Sequence, residues 1–402
     1  MTKQKDNKMR LIHIGCTKYY PVGFLINLLI IMVFGLLMLF SASYSTGYLR
    51  FDDSYHFIGS QIIFALLGAV LMAIAAQVDY HIYDRFTVAI YILGILLLIG
   101  VLFCEPINNV RRWLHFTSGP LRVIPNIQAS EIVKFAIILT TAKILVKYRA
   151  KRKTFWKGMV LPMLPLVPVL VLLLMEPHLS AMVLMVMIAG SMVVLGGAAL
   201  RWVVLLGGLA VGAYVAFPEQ VRSLTTYVAT RLDGWTPVFE DMTWQTQQSL
   251  LAIGSGGLTG VGIGNSLEKQ LWLPECTNDF IFSVLCEELG FLGAMVIILL
   301  FVVLIFQLLY ISFNAPDVYG TLLGLGVTAQ ITWQVFFNIA VVTNTVPNTG
   351  ISLPFFSSGG TSLLLLMAEM GVVINIARHG TRAQLKREAA KNAAQQNQKK
   401  EN

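Results

Sequence analysis

Ten ionisable side chains stand inside or beside long apolar runs of this sequence: Arg111, Arg112, Glu131, Lys134, Glu176, His178, Asp279, Glu287, Glu288 and Glu369. Charge at mid-bilayer is costly unless it faces a cavity or a partner, so each marks a place where water, a ligand or a counter-ion is expected. Asp279 ends a hydrophilic stretch, Trp272-Leu273-Pro274-Glu275-Cys276-Thr277-Asn278-Asp279, immediately before an apolar run. The carboxylate would sit at the water–membrane boundary, where Asp279 or Asn278 can cap the helix that follows; capping and catalysis are compatible. Glu287 and Glu288 follow roughly 12–14 Å further down the same helix and need a polar cavity or a cationic partner. Glu131 and Lys134 lie three residues apart on one helix face, where they can pair with each other. Together with Arg111 and Arg112, Lys134 also suits the diphosphate of a lipid. Residue types alone leave both readings open.

Two segments are dense in glycine. Asn348 to Ser362, which contains Ser358 and Gly359, lies between apolar runs, and irregular backbone there should line a cavity or be buried in protein. Gly254 to Gly264 lacks the Lys-Ser/Thr and the preceding strand of a phosphate-binding P-loop, so close backbone packing is its simpler use. Glu176-Pro177-His178 interrupts an apolar stretch too long for one helix and is read as a hairpin turn, its Glu/His pair structural rather than metal-binding. Glu369 is read as a hydrogen-bonding partner between helices.

The elements that must position these groups follow from composition. Of 402 residues, 56% are hydrophobic and 12% charged, against about 25% charged in a soluble domain, and the mean hydropathy is +0.71. That excludes a soluble enzyme. A net charge of +8 is compatible with nucleic-acid binding, but the cations sit between apolar runs and at the chain ends, so no nucleic acid is expected. Apolar runs near 22–43, 57–78, 86–104, 129–146, 158–175, 181–199, 202–217, 280–310, 319–343 and 362–377 predict an all-α polytopic membrane protein of ten transmembrane helices. A basic segment 1–21 precedes a membrane domain 22–378, which includes a large extracytoplasmic loop 218–279 between helices 7 and 8. Residues 379–402 form a basic tail, solvated or disordered from Ala389 onward, whose cations can touch anionic lipid. The basic segments at 1–21, 147–157 and 378–400 fall on one side, placing both termini in the cytoplasm. The first run is too long for a signal peptide and is read as a retained span. Of the four cysteines, Cys104 and Cys276 are the pair able to meet on the outer face, which leaves a disulfide open.

In its ordered motifs the chain resembles the SEDS family (shape, elongation, division and sporulation) of FtsW, RodA and SpoVE proteins. The resemblance rests on Arg111-Arg112-Trp113-Leu114, on Gln128-Ala129-Ser130-Glu131 with Lys134, and on Gln247-Gln248-Ser249-Leu250 with Gly254 to Gly264. It extends through Pro274 to Gly290 and through Pro347 to Thr361. It implies an inverting glycosyltransferase that polymerises lipid II into glycan strands on the outer face of the bacterial cytoplasmic membrane, with Asp279 as the catalytic base. Arg111, Arg112, Glu131, Lys134, Ser358 and Gly359 would contact substrate, with Glu287 and Glu288 in support. The resemblance also implies a class B penicillin-binding protein as transpeptidase partner, with other division or elongation proteins. It leaves room for a divalent cation (Mg2+ or Mn2+) and calls for no organic cofactor. Ala129 stands where the family usually has proline, Glu176 and His178 replace a Gln-Pro-Asp turn, Asn278 replaces threonine, and Ser358 replaces tyrosine. The segments around Asn278-Asp279 and Asn344 to Gly350 lean toward the FtsW-like division branch. A lipid II flippase or a non-catalytic scaffold of the division complex would use the same polar residues differently; the clustering of polar motifs on the outer side favours the enzyme.

Overall fold

A computed structural model describes residues 22–105, 111–114, 127–202, 204–205, 208, 235 and 238–401. Long apolar segments form helices because every backbone polar group is then satisfied within its own segment. In chain order these are α1 (Val22–Phe51), α2 (His56–Ala75), α3 (His81–Leu102), α4 (Ala129–Lys147), α5 (Phe155–Met175) and α6 (Leu179–Leu195). After them come α7 (Trp244–Ser255), α8 (Ile281–Phe313), α9 (Val318–Val342) and α10 (Gly360–Glu401). Among the described residues, seven helices are long and apolar enough to cross a membrane: α1, α2, α3, α5, α8, α9 and α10 as far as Leu385. α4 and the shorter α6 occupy two further predicted runs. The run at 202–217 falls almost entirely outside the described residues. Glu176-Pro177-His178 does separate two helices, as its composition predicts.

Helix exposure sorts the bundle. α9 has 72% of its apolar window buried and α2 only 17%, so α9 is a central pillar and α2 presents Leu66, Leu67 and Val70 outward. α9 packs on α6, α8 and α4, while α2 packs on α10 and α1 on α8. Small residues let these backbones approach. A Cβ at Gly326 would come within 2.4 Å of Ile138, and one at Gly324 within 2.5 Å of Ser312 Oγ.

Contacts between helix termini define two distinct ends of the bundle. At one end Lys143 of α4 pairs with Asp84 of α3 at 3.3 Å, and Tyr80 donates to Asp317, which caps α9 by accepting from Gly320 N at 2.8 Å. At the other end the starts of α4, α6, α8 and α10 converge with the residues after α9. A two-residue antiparallel pairing, Trp113 with Gln128 and Leu114 with Ile127, brings Arg111 and Arg112 to the start of α4.

The basic tail, read as solvated or disordered, continues α10 without a break to Glu401: its Ala, Gln, Lys and Glu residues are good helix formers and extend a helix already nucleated in the bundle. No disulfide links Cys104 and Cys276; both thiols are free. Cys104 Sγ lies 3.6 Å from Gly100 O, within its own helix, whereas Cys276 is buried against Ala42 O at 3.8 Å, where burial pushes its thiol up to about 11.

Candidate functional site

Asp279 sits two residues before Ile281, the first residue of α8. The cap position belongs to Phe280, which makes no side-chain cap bond. Its backbone is held from two directions. Asn338 of α9, fully buried, donates from Nδ2 to Asp279 O at 2.8 Å and to Ile351 O at 2.7 Å. Ser357 Oγ donates to Asn278 O at 2.7 Å and Ser358 N to Thr277 O at 2.9 Å. Residues 277–279 and 351–358 are thereby stitched together, and Gln61 of α2 braces the second segment by accepting from Gly359 N at 3.3 Å.

The carboxylate lies against Gly350. This glycine has φ +67°, a left-handed conformation that side chains disfavour, and a Cβ on it would stand 2.9 Å from Asp279 Oδ2. Gly350 also lines a cavity of about 40 Å3 together with Gln128, Glu131, Lys134, His178 and Gln334. One glycine therefore separates the aspartate from a polar cavity built by the starts of α4 and α6.

Within that cavity Lys134 Nζ pairs with Glu131 Oε2 at 2.8 Å, the two side chains 3% and 8% exposed. Glu131 occupies the first turn of α4, where the helix dipole favours negative charge, and Ser362 Oγ lies 3.5 Å from it. Arg112 Nη2 donates to Pro177 O at 2.9 Å, tying the outer strand pair to the turn before α6. Arg111 is exposed and donates to Leu102 O at 2.9 Å. Burial pushes the Glu176 carboxyl up to about 8 against the pull of Arg112, and drives His178 well below the usual imidazole range, with Arg112 and Lys134 adding to the shift.

Glu287 and Glu288 belong to a separate network. Glu288 Oε1 accepts from Lys269 Nζ at 2.7 Å, and its two oxygens accept from Ser41 Oγ at 2.6 and 2.7 Å. Ser266 Oγ donates to Glu287, and Leu267 N donates to its Oε1 at 2.9 Å. The cationic partner that the paired carboxylates require is thus Lys269, from the loop before α8.

The same loop mends a break in α8. Gly290 has φ +67° and ψ −171°, which interrupts the helical ladder. Val261 N donates to Glu287 O and Gly262 N to Glu288 O, both at 3.0 Å, while Phe291 N and Leu292 N donate to Gly257 O and Leu258 O at 2.9 and 3.1 Å. Only bare backbone fits there: a Cβ at Gly260 would lie 2.1 Å from Glu288 O, and one at Gly256 2.0 Å from Cys286 O. The glycine-rich loop packs backbone on backbone against α8.

The structure therefore gathers Glu131 and Lys134 around the cavity, with Arg112 at its α6 side and Asp279 across Gly350. Ser358 and Gly359 contribute through backbone amides, and Glu287 and Glu288 anchor the loop. Glu369 accepts from Gln330 Nε2 at 2.9 Å, the helix-to-helix bond expected of it. Asn338, Gly350 and Lys269 were not singled out by sequence; for Lys269 the signal was two buried carboxylates lacking a cation. Among the described residues no three His, Cys, Asp or Glu side chains converge, so they offer no ready cage for a divalent cation.

Comparison with known proteins agrees with this architecture. Residues 22–382 match the family model that groups FtsW, RodA and SpoVE, described as "Cell cycle protein". Stage V sporulation protein E of Bacillus subtilis is 36% identical over 361 residues, 87% of this chain and 95% of the relative. The probable peptidoglycan glycosyltransferase FtsW of a Geobacter species is 33% identical over 89% of this chain and 96% of its own. A chain in the structure described as "Structural coordination of polymerization and crosslinking by a peptidoglycan synthase complex" superposes with a TM-score of 0.71 at 25% identity, covering 90% of this chain and 99% of that one. The Thermus thermophilus rod shape determining protein RodA gives 0.64 at 26% identity, covering 89% and 97%. With the family model spanning the whole membrane domain and relatives matching almost end to end, the chain belongs to the SEDS family of FtsW, RodA and SpoVE proteins.

Proposed function

We propose that this protein is a peptidoglycan glycosyltransferase that polymerises lipid II at the outer face of the bacterial cytoplasmic membrane. The observation that carries the reading is the Asp279 carboxylate, held against Gly350 beside a buried polar cavity. Relatives named as probable peptidoglycan glycosyltransferases support it. Asp279 takes the proton of the acceptor sugar's 4-hydroxyl as that oxygen attacks the anomeric carbon of the donor. The bond from that carbon to the diphosphate breaks, and the lipid diphosphate departs with inversion. A diphosphate leaving group needs little acid help, so one base suffices. Exposed Arg111, with Arg112 beside it, supplies positive charge to the departing diphosphate. Lys134, whose charge is shared with Glu131, instead fixes the cavity wall.

Orientation follows from the two ends of the bundle. The cations from Lys147 to Lys153 lie beyond the end of α4, opposite the aspartate, so the positive-inside rule puts Asp279 outside and both termini in the cytoplasm. The strand product requires a cross-linking partner, a class B penicillin-binding protein in the division complex. The test is polymerisation of lipid II by the purified protein with that transpeptidase, comparing wild type with Asp279→Asn at matched folding. Strand synthesis lost by about 10²-fold or more in the variant supports the reading. Full activity in the variant refutes Asp279 as base, and lipid II translocation without polymer refutes the transferase.

A further inference from the structure

The cavity beside Asp279 holds more hydrogen-bonding capacity than it uses. Ser130 Oγ, His178 Nδ1, Ser180 Oγ and Gln334 Oε1 have no hydrogen-bond partner among the described residues, yet all four residues line it. They are 2%, 5%, 4% and 2% exposed, respectively. An unsatisfied buried polar atom is expensive to keep, so four around one small space are explained by something polar that enters it.

Charge and size narrow what enters. Lys134 is already paired with Glu131 at 2.8 Å and Arg112 with Pro177 O at 2.9 Å, so an anion entering the cavity would meet the Glu131 carboxylate and compete for cations that are committed elsewhere. A diphosphate is therefore a poor occupant. The volume of about 40 Å3 gives roughly three water-sized positions, enough for a substituent of a few heavy atoms. The wall is mixed: Ala181, Leu184 and Ile351 stand among the polar atoms. An acetamido group has the matching parts, an N–H for Gln334 Oε1, a carbonyl for the two serine hydroxyls or an imidazole N–H, and a methyl for the apolar wall.

Building on the glycosyltransferase reading, we propose that this cavity is the recognition pocket for an N-acetyl group of the sugar undergoing transfer, with His178, Ser130, Ser180 and Gln334 as its readers. His178 is then a specificity-determining residue, and the diphosphate lies outside the pocket on the arginine side.

The test compares lipid II with an analogue N-deacetylated on the reacting sugars, using the full chain with its transpeptidase and measuring both kcat/KM and equilibrium binding in detergent. Wild type should favour the acetylated lipid by about 10-fold or more, as expected when a missing group leaves buried polar atoms unpaired. In His178→Leu and Ser180→Ala the preference should fall severalfold, through KM and only on the acetylated lipid, with His178→Asn restoring part of it. Equal handling of both lipids by wild type, or variants that lose both equally while melting like wild type, overturns the proposal. If wild type makes no polymer the glycosyltransferase reading fails by itself, and binding decides the pocket: an acetyl preference abolished in Ser180→Ala and His178→Leu sustains it, and equal binding ends it.

Discussion

Replacing Lys269 by methionine should cost this protein more than any other single loss of charge outside the cavity. Lys269 Nζ lies 2.7 Å from Glu288 Oε1 and 3.0 Å from Ser41 Oγ, with 4% and 0% of the lysine and glutamate side chains exposed. At 2.7 Å the pair attracts by about 6 kcal/mol at an effective dielectric of about 20, most of it offset by the desolvation of two ions. Its net value is small, but its disruption is not. Lys269→Met leaves a carboxylate in an apolar bundle with one hydroxyl as partner, a loss of about 3–5 kcal/mol. In Lys269→Met/Glu288→Gln the buried charge is gone and the amide still bonds to Ser41, so the double variant should return to within about 1–2 kcal/mol of wild type. Unfolding in mixed SDS micelles, followed by circular dichroism across the full double-mutant cycle, reads these differences. A single variant within about 0.5 kcal/mol of wild type, or single losses that simply add, would refute a buried and mutually dependent pair.

Three further outcomes follow from the same geometry. Gly350→Ala should reduce polymerisation by about 10²-fold, well beyond its modest destabilisation, because a Cβ 2.9 Å from Asp279 Oδ2 displaces the carboxylate; equal losses of rate and melting temperature would contradict this. Gly290→Ala places a Cβ 2.3 Å from Gly260 N at φ +67° and should sharply reduce the yield of folded protein by size-exclusion, whereas Gly59→Ala, with open space at its Cβ, should match wild type. Glu176, pushed up to about 8 by burial, binds its proton more tightly folded than unfolded, so wild type loses stability as pH rises from about 4.5 to about 8; melting curves should show Glu176→Gln gaining on wild type across that window and matching it below.

Hydropathy made the helices legible, since membrane spans announce themselves by length and lack of charge, and the Glu176-Pro177-His178 turn was marked by the residues that interrupt a span. The end of the bundle holding Asp279, Glu131 and Lys134 could be read from where charge is tolerated. What composition does not encode is who satisfies whom. Gly290 looks like any helix glycine until its φ of +67° and the backbone of residues 257–262 are seen together. Lys269 lies in a hydrophilic loop, and nothing local says that its ammonium returns to the bundle. Gly350 was one glycine among several, and its special position depends on a side chain 71 residues earlier in the chain.

These long-range contacts explain how the aspartate proposed as base can be held still at one end of a lipid-embedded bundle. The loop before α8 is fixed upstream by Lys269 and Ser266 on the paired glutamates and by its glycines on the α8 break. Asn338 and Ser357 then clamp residues 278–279 themselves. All of these anchors are buried and polar, so they draw on hydrogen bonding rather than on the lipid-facing surface, and changes in lipid thickness reach them weakly. The polar cavity is walled by α4 and α6, with Gln334 of α9 and Gly350 to Ser352 closing it. α9 therefore ties the aspartate to the cavity: Asn338 bonds both Asp279 O and Ile351 O, and Ile351 lines the cavity beside Gly350, which lies against the carboxylate. Loss of the Asn338 amide should accordingly loosen the aspartate and the cavity wall together rather than either one alone.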